Sequence, residues 1–213
     1  MSFVSELQVG SLLLYPKGKS AASASARAFV RYDIKQGKVG RIEHAVKRLT
    51  EVLPGSPLEE LLGAAGVLVP APGHTPRLQG GLWIPERICQ VLVAAGVGER
   101  VLPVVERWEA VAQSSSKSSA ENRVDPKEHY RTLKVLSLLE GAARFTLVDD
   151  VVTRGSTLIA CATRLREQFP NAEIRAFALA RVAQVDLQAT AEMLAPALEV
   201  IRYSEATGAL ERR

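Results

Sequence analysis

Short apolar runs and longer amphipathic stretches alternate along this chain. The apolar runs are bounded by glycine, proline or polar residues, as is typical of strands buried in a sheet. Pro103 lies inside the third run and indicates an edge or irregular position, because proline cannot donate to a strand ladder. The predicted strands cover residues 10–16, 67–69, 101–105, 133–136, 145–148, 174–180 and 198–203.

Helical periodicity fills the intervals between these strands. In one stripe Ile42, Val46 and Leu49 share a face, and in another Leu82 and Ile88 do so. Strands that alternate with helices predict an α/β fold, in which a mostly parallel twisted sheet is flanked by helices. The predicted helices cover residues 20–32, 42–53, 57–62, 82–95, 158–168 and 186–194.

The composition is that of a globular α/β protein. A chain of 213 residues, 47% hydrophobic and 23% charged, can bury a full core. No apolar stretch reaches the ~18 residues that indicate a membrane span, and the first residues lack the features of a secretory signal, so a cytoplasmic location is expected. Cys89 and Cys161 fall in predicted helices without metal-ligand spacing, which predicts buried thiols and neither a disulfide nor a zinc site.

Positive charge is concentrated near the N-terminus. Residues 1–50 contain nine Lys or Arg and three Asp or Glu, a net charge of +6, whereas the whole chain carries +4. A basic lobe of this kind could contact nucleic acid. The absence of interleaved aromatic residues favours the other interpretation, a solvated surface beside a site for an anionic small molecule.

The stretch 145–157 carries the most distinctive chemistry. Asp149 and Asp150 follow its apolar strand, at the carboxyl end where parallel sheets place ligand crevices. The turn 153–157 then combines glycine and hydroxyl residues at a helix N-terminus, where free amides and the helix dipole favour a phosphate. Two simpler alternatives stay open: the aspartates could cap a strand turn, and Ser156 or Thr157 could be a helix N-cap. No Gly-Lys-Ser/Thr follows, which disfavours a nucleotide-binding P-loop.

Two irregular segments flank this region. The loop 70–77 follows the strand 67–69 and contains too many prolines for regular structure. The serine-rich segment 113–126 has the composition of a linker, yet it lies between core elements, which indicates a flexible lid over a site. Lys117 and Arg123 in this segment could close on an anion or simply be solvated.

The stretch Leu147-Val-Asp-Asp-Val-Val-Thr-Arg-Gly-Ser-Thr157 resembles the signature of type I phosphoribosyltransferases, which bind phosphoribosyl pyrophosphate (PRPP). Every defining position is filled, and Arg154 occupies a permissive one. Val67-Leu-Val-Pro-Ala-Pro72 resembles the strand and turn of the family's pyrophosphate loop. The resemblance covers roughly residues 65–182 and is nearest the competence-protein-F-like branch, although this chain lacks the cysteine-rich zinc finger that often precedes that branch.

The resemblance implies a PRPP site with Mg²⁺ as cofactor. Asp149 and Asp150 would contact the ribose hydroxyls directly or serve as Mg²⁺ ligands, because carboxylates are strong acceptors and hard oxygen ligands. His74 could meet the pyrophosphate or be an ordinary surface histidine. The pyrophosphate would meet Ala71, Pro72, Gly73 and His74, and the 5′-phosphate would be wrapped by Thr153, Arg154, Gly155, Ser156 and Thr157.

Further expectations concern the pyrophosphate side of the site. Arg107 precedes the lid at a strand end that is expected to face the crevice, so we assign it a catalytic role beside Asp149 and Asp150. Lys117 or Arg123 would close on the pyrophosphate as its charge grows. The family's pyrophosphate loop often holds a strained or cis peptide, which we expect between residues 69 and 72.

The implied organisation is a small N-terminal hood, residues 1–40, and a phosphoribosyltransferase-like core, residues 41–213, with a flexible loop at about 108–131. The implied reaction transfers phosphoribosyl to a nitrogen acceptor, such as a nucleobase, and releases pyrophosphate. Two alternatives stay open: a PRPP-binding regulator without turnover that contacts nucleic acid, and a hydrolase that uses water as acceptor. The sequence does not identify the acceptor, and it leaves a homodimer open as the assembly.

Overall fold

The computed structural model describes residues 2–62, 66–78, 80–111, 125–136 and 142–213. Its strands are β1 (Glu6–Pro16), β2 (Val67–Pro70), β3 (Arg100–Val101), β4 (Val105–Arg107), β5 (Leu133–Val135), β6 (Arg144–Val152), β7 (Glu173–Ala183), β8 (Leu194–Tyr203) and β9 (Leu210–Arg212). A seven-stranded sheet has the order β3-β2-β6-β7-β1-β8-β9, and β4 and β5 form a separate antiparallel ribbon.

The central part of the large sheet is parallel. The pairs β3–β2, β2–β6, β6–β7 and β7–β1 are all parallel, and β8 and β9 then extend the sheet in antiparallel fashion. The predicted fold class, a mostly parallel α/β sheet flanked by helices, is therefore confirmed.

Helices cover both faces of this sheet. They are α1 (Ala21–Phe29), which continues as a π-helical turn at Val30–Ile34, α2 (Val39–Val52), α3 (Glu59–Leu62), α4 (Ile84–Ala94), α5 (Pro126–Arg131) and α6 (Ser156–Gln168). Successive residues of the parallel strands point to opposite faces. In β6, Leu147 packs in the core that contains α6, whereas Val148 packs in the core that contains α2 and α4.

Most predicted helices lie where the periodicity places them. The stripe of α2 is buried at Ile42, Val46 and Leu49, and α6 covers the predicted range 158–168. Leu82 does not belong to the buried stripe, because it precedes α4 and its exposed fraction is 56%.

The predicted helix over residues 186–194 is wrong. Asp186 accepts hydrogen bonds from the Ser20 amide at 2.9 Å and the Ser23 hydroxyl at 2.7 Å, and it therefore fixes an extended loop against the start of α1. A short 3₁₀ turn at Thr190–Met193 follows, and β8 begins immediately after it. An acidic side chain that binds the N-cap residue and the first turn of another helix takes this segment out of the helical pattern.

The predicted strand over residues 101–105 is divided. Its first residue ends β3 in the large sheet, its last residue begins β4 in the ribbon, and Pro103 lies between them. Because proline has no amide hydrogen, the break falls where a ladder bond would be lost. The predicted last strand, 198–203, is part of β8 and is followed by β9.

The N-terminal strand belongs to the core sheet. β1 lies between β7 and β8, so residues 6–16 are not part of a separate hood, and the domain division at residue 40 otherwise stays a prediction. Cys89 and Cys161 are free and buried, as predicted, and burial raises the pKa of Cys161 to about 12. Within the described residues, no helix has the length and apolarity needed to cross a membrane.

Candidate functional site

Asp149 and Asp150 lie near the carboxyl end of β6. They are inside the strand, whereas the sequence predicted them directly after it. The strand continues to Val152, and both aspartates are partly buried. The Asp150 amide donates to Oδ1 of Asp149 at 2.8 Å, and the Val151 amide donates to Oδ1 of Asp150 at 2.7 Å. These bonds fix both carboxyl groups and occupy one oxygen of each. A carboxylate has further acceptor sites, so each side chain retains the capacity to bind a ligand.

Lys35 provides a positive charge at this acidic pair. Its Nζ lies 3.2 Å from Oδ2 of Asp150. Burial lowers the pKa of Lys35, but the charges of Asp150 and Asp149 outweigh that effect and the pKa is raised overall. Burial, and then the charge of Asp150, raise the pKa of Asp149 well above its usual value. The pair therefore favours a bound cation or proton.

The sequence reasoning missed Lys35 as a site residue. It follows the π-helical turn Val30–Ile34, which is distant in sequence from the acidic strand. The concentration of basic residues near the N-terminus is the signal that could have directed attention to it, but that signal does not single out one lysine.

Gly155 lies in the middle of the predicted anion-binding turn 153–157 and is the N-cap of α6. Its φ is 94°, which lies in the left-handed region that favours glycine. A Cβ at this position would lie 2.3 Å from Cδ1 of Ile201, so the turn also needs glycine for space. The alternative in which Ser156 or Thr157 caps the helix is wrong. The first amides of α6 point out of its N-terminus, as an anion site requires.

The C-terminal strands support this turn from behind. Arg212 donates to the carbonyl oxygen of Val152 at 3.2 Å, directly before the turn, and it also bonds the Val182 carbonyl. Arg154, predicted to wrap a phosphate, donates to the Leu210 carbonyl at 3.2 Å. One guanidinium from β9 and one from the turn therefore join β9 to the end of β6.

The second predicted loop leaves the adjacent strand. Pro70 in β2 pairs with Val148 in β6, and the Ala71 amide donates to the Val148 carbonyl at 2.8 Å. The turn is held further by the indole of Trp83, which donates to the Ala71 carbonyl at 2.8 Å. Because β2 and β6 are neighbours, their two loops begin side by side at one sheet edge.

The expected strained or cis peptide between residues 69 and 72 is not found. No described peptide bond is cis, and no residue of this turn has a positive φ. The turn is held by hydrogen bonds instead: the Val111 amide donates to the His74 carbonyl at 2.8 Å, and Arg107 donates to the Gly73 carbonyl. Gly73 and His74 are exposed, whereas Ala71 and Pro72 are buried.

Arg107 was expected to face the crevice, but its side chain points into the core. Its exposed fraction is 4%, and its guanidinium bonds the Gly73 carbonyl, the Thr132 hydroxyl and Nδ1 of His129, the last at 3.1 Å. Burial lowers the pKa of Arg107. This side chain lies behind the 71–74 turn, so direct contact with a ligand in the crevice is not supported. Lys117 and Arg123 lie outside the described residues.

The carboxylates match a metal that arrives with its ligand better than a resident metal. Among the described residues, no group of three or more His, Cys, Asp or Glu side chains could hold a metal ion. Asp149 and Asp150 offer oxygen ligands, and Mg²⁺ is commonly bound by one or two carboxylates together with substrate phosphates and water. The donor set therefore fits Mg²⁺ carried by a phosphorylated substrate.

A separate cleft of about 600 Å³ lies near the second half of α6. Its walls include Trp108, Arg131 and Glu167, and none of the residues of the turns 71–74 and 153–157. Nothing in its lining matches the chemistry of the acidic strand end, so we place the candidate site at β2 and β6.

Comparisons with known proteins add a distant similarity. No protein-family model matches the chain, and no curated protein matches it. Among solved structures, it is similar to a crystal structure of adenine phosphoribosyltransferase, with 16% identity and a TM-score of 0.35 over 75% of this chain and 77% of that one. The resemblance to type I phosphoribosyltransferases therefore continues to rest on residues 67–72 and 147–157, and the competence-protein-F-like branch stays a prediction.

Proposed function

We propose that this protein is a Mg²⁺-dependent phosphoribosyltransferase that transfers the phosphoribosyl group of PRPP to a nitrogen acceptor and releases pyrophosphate. One observation carries the proposal: an acidic pair lies inside β6, a glycine-capped turn leaves the same strand, and a second turn leaves the neighbouring strand β2. PRPP carries a ribose between a 5′-phosphate and a pyrophosphate, so its chemistry matches this order of sites.

Each part of PRPP has a matching part of the chain. The turn 153–157 would hold the 5′-phosphate through the first amides of α6. Asp149 and Asp150 would accept hydrogen bonds from the ribose hydroxyls through oxygens that their own strand leaves available. The turn 71–74, exposed at Gly73 and His74, would bind the pyrophosphate.

The proposed reaction is a displacement at C1 of the ribose. The bond from C1 to the pyrophosphate oxygen breaks with its electron pair, and a bond from C1 to the acceptor nitrogen forms on the opposite face. Bound Mg²⁺ would offset negative charge on the departing pyrophosphate. The described residues supply binding and orientation, and the reaction requires no nucleophile from the protein.

Lys35 belongs to the acceptor side of this scheme. It reaches Asp150 from the helical segment that follows β1, and its ammonium lies 3.2 Å from the carboxylate. The acceptor would enter between this segment and the strand end, so its class is a nitrogen compound small enough to fit beside the ribose. The basic residues around α1 and α2 favour an acceptor that is neutral or anionic.

Pyrophosphate release with and without acceptor tests this function. The protein is incubated with Mg²⁺ and PRPP, alone and with a panel of nucleobases, and released pyrophosphate is followed. Release that depends on a base supports transfer. Release without a base supports the hydrolase, and tight PRPP binding without release supports the regulator. A protein that does not bind PRPP at all contradicts the proposal.

A further inference from the structure

The guanidinium of Arg107 is a buried cation with neutral partners. Among the described residues, its hydrogen-bond partners are the Gly73 carbonyl, the Thr132 hydroxyl and the imidazole of His129, and no carboxylate pairs with it. A buried charge is normally paired, because removal from water is costly. Arg107 therefore keeps a positive charge that no carboxylate in the described part of the chain compensates, directly beneath the turn 71–74.

His129 preserves this charge because it is neutral. Burial, and then the charge of Arg107, lower the pKa of His129 to about 4. Its Nδ1 lies 3.1 Å from Arg107 and must accept that hydrogen bond, so the proton resides on Nε2. A carboxylate at this position would cancel the charge, whereas the neutral imidazole orients the guanidinium and leaves its charge intact.

The bond to Gly73 fixes the direction of the next amide. The peptide between Gly73 and His74 is trans, since no described peptide bond is cis. In a planar trans peptide the carbonyl and the amide hydrogen point in opposite directions. The Gly73 carbonyl points inward to Arg107. The amide of His74 therefore points outward, and both residues are exposed to solvent.

The same bond makes that amide a stronger donor. A guanidinium that binds a carbonyl draws electron density through the peptide, and chained hydrogen bonds of this kind strengthen one another. An outward amide over a buried positive charge has the polarity of an anion-binding site. These effects act together at one peptide, on the side of the turn that faces solvent.

We propose that Arg107 is a positioning residue for a diphosphate ligand: it turns the Gly73–His74 peptide so that its amide faces the anion, and it places an uncompensated charge beneath that amide. This inference rests on the proposed function, in which the diphosphate is the pyrophosphate group of PRPP. Arg107 acts through the peptide and does not touch the ligand.

Charge cancellation at His129 tests the inference. His129→Asp introduces a carboxylate beside Arg107. His129→Asn introduces a neutral acceptor of the same size as that carboxylate. The dissociation constants of Mg²⁺-pyrophosphate and of ribose 5-phosphate are measured by calorimetry for both variants. We expect His129→Asp to bind pyrophosphate at least about tenfold more weakly than His129→Asn, because the local charge is lost. Ribose 5-phosphate, which uses the other loop, should bind both variants equally.

A second pair of variants separates charge from hydrogen bonding. Arg107→Lys keeps the charge, whereas Arg107→Gln keeps a donor for the Gly73 carbonyl without charge. We expect the lysine variant to bind pyrophosphate more tightly than the glutamine variant. The inference is overturned if the two variants of either pair, at His129 or at Arg107, bind pyrophosphate equally. It is also overturned if a variant loses as much affinity for ribose 5-phosphate as for pyrophosphate. A wild-type protein that binds neither ligand instead contradicts the proposed function, so the two failures are distinguishable.

Discussion

Gly155 joins the acidic strand β6 to α6, whose N-terminus is the proposed anion site. Its positive φ and the side chain of Ile201 leave no room for a Cβ. Because glycine has only a hydrogen atom as its side chain, the backbone can adopt a positive φ here and pack closely on β8. The same position shows how the supporting strand and the candidate ligand site depend on each other.

Replacing Gly155 with alanine should weaken phosphate binding. We expect Gly155→Ala to lower the affinity for ribose 5-phosphate at least about tenfold and to cost about 1–2 kcal/mol of unfolding free energy, because the left-handed conformation is strained for alanine. Calorimetry and urea denaturation measure the two effects. Gly40→Ala is the matched control: a Cβ there meets no atom within 4 Å, so the affinity should not change. Unchanged ribose 5-phosphate binding by Gly155→Ala would show that the turn is not the phosphate site.

Asp150 offers a test of the acidic pair. We expect Asp150→Asn to reduce kcat/KM for PRPP at least about a hundredfold, because an amide replaces a charged acceptor for the ribose or its metal. Asp33→Asn is a suitable control. Its side chain is as exposed as that of Asp150, at 18%, and it also pairs with a lysine, but that lysine is Lys38 and not Lys35. Similar kinetics for the two variants would remove Asp150 from the site.

The hairpin of β8 and β9 supports the turn 153–157, the proposed phosphate site. Ile201 in β8 packs on Gly155, and Arg212 in β9 holds the Val152 carbonyl. The hairpin is therefore part of the site even though it carries no predicted site residue. Loss of the contacts from this hairpin should displace the turn 153–157 and leave the turn 71–74 in place.

Arg212→Leu tests whether the hairpin supports only the turn 153–157. The variant leaves the carbonyls of Val152 and Val182 without their donor, which frees the start of the turn. We expect affinity for ribose 5-phosphate to fall about three- to tenfold while pyrophosphate affinity is retained, as judged by calorimetry. Arg202→Leu, on the exposed side of β8, removes only a surface ion pair with Glu6 and serves as the control. A uniform loss of both affinities would indicate general destabilisation instead.

The elements that the sequence predicts well are those with a strong local pattern. Buried runs predict β2, β6 and β7, and the stripe of α2 is where the periodicity places it. The segment 186–194 fails because its first residue is used by Ser20 and Ser23, a long-range contact that no window of sequence contains.

The same reason limits prediction of the site. The two loops are recognisable because each is continuous in sequence. Lys35 and Arg212 reach the site from elsewhere in the chain, and their partners are strand-end groups that only the folded sheet brings near. Arg107 is recognisable as a candidate, but its inward direction depends on Thr132 and His129, which follow it by more than twenty positions.

At the scale of the whole molecule, His129 links stability to pH. Its pKa falls from 6.5 to about 4 in the fold, so between these values the unfolded chain binds a proton that the folded chain does not. The free energy of unfolding should therefore rise with pH across this range and level off above about pH 6.5. The contribution of the His129 imidazole to this rise is on the order of 3 kcal/mol.

Urea denaturation between pH 4.5 and 7.5 measures this dependence. We expect the unfolding free energy of His129→Asn to vary less with pH than that of the wild type, because the variant has no imidazole to protonate. His44→Asn, at an exposed position in α2, controls for the loss of a histidine as such. Parallel pH curves for wild type and His129→Asn would show that the imidazole is not held neutral in the fold.

The central place of β1 has a consequence for biosynthesis. β1 leaves the ribosome long before its partners, β7 and β8, which begin only at residues 173 and 194. Its apolar side chains, including Leu7, Val9 and Leu12, must wait until these two strands have been translated before they can enter the sheet. The strands that carry the two candidate loops, β2 and β6, are therefore translated before β1 can join the sheet to β8. A nascent chain released before β8 is complete would expose the apolar side chains of β1, to which chaperones would bind.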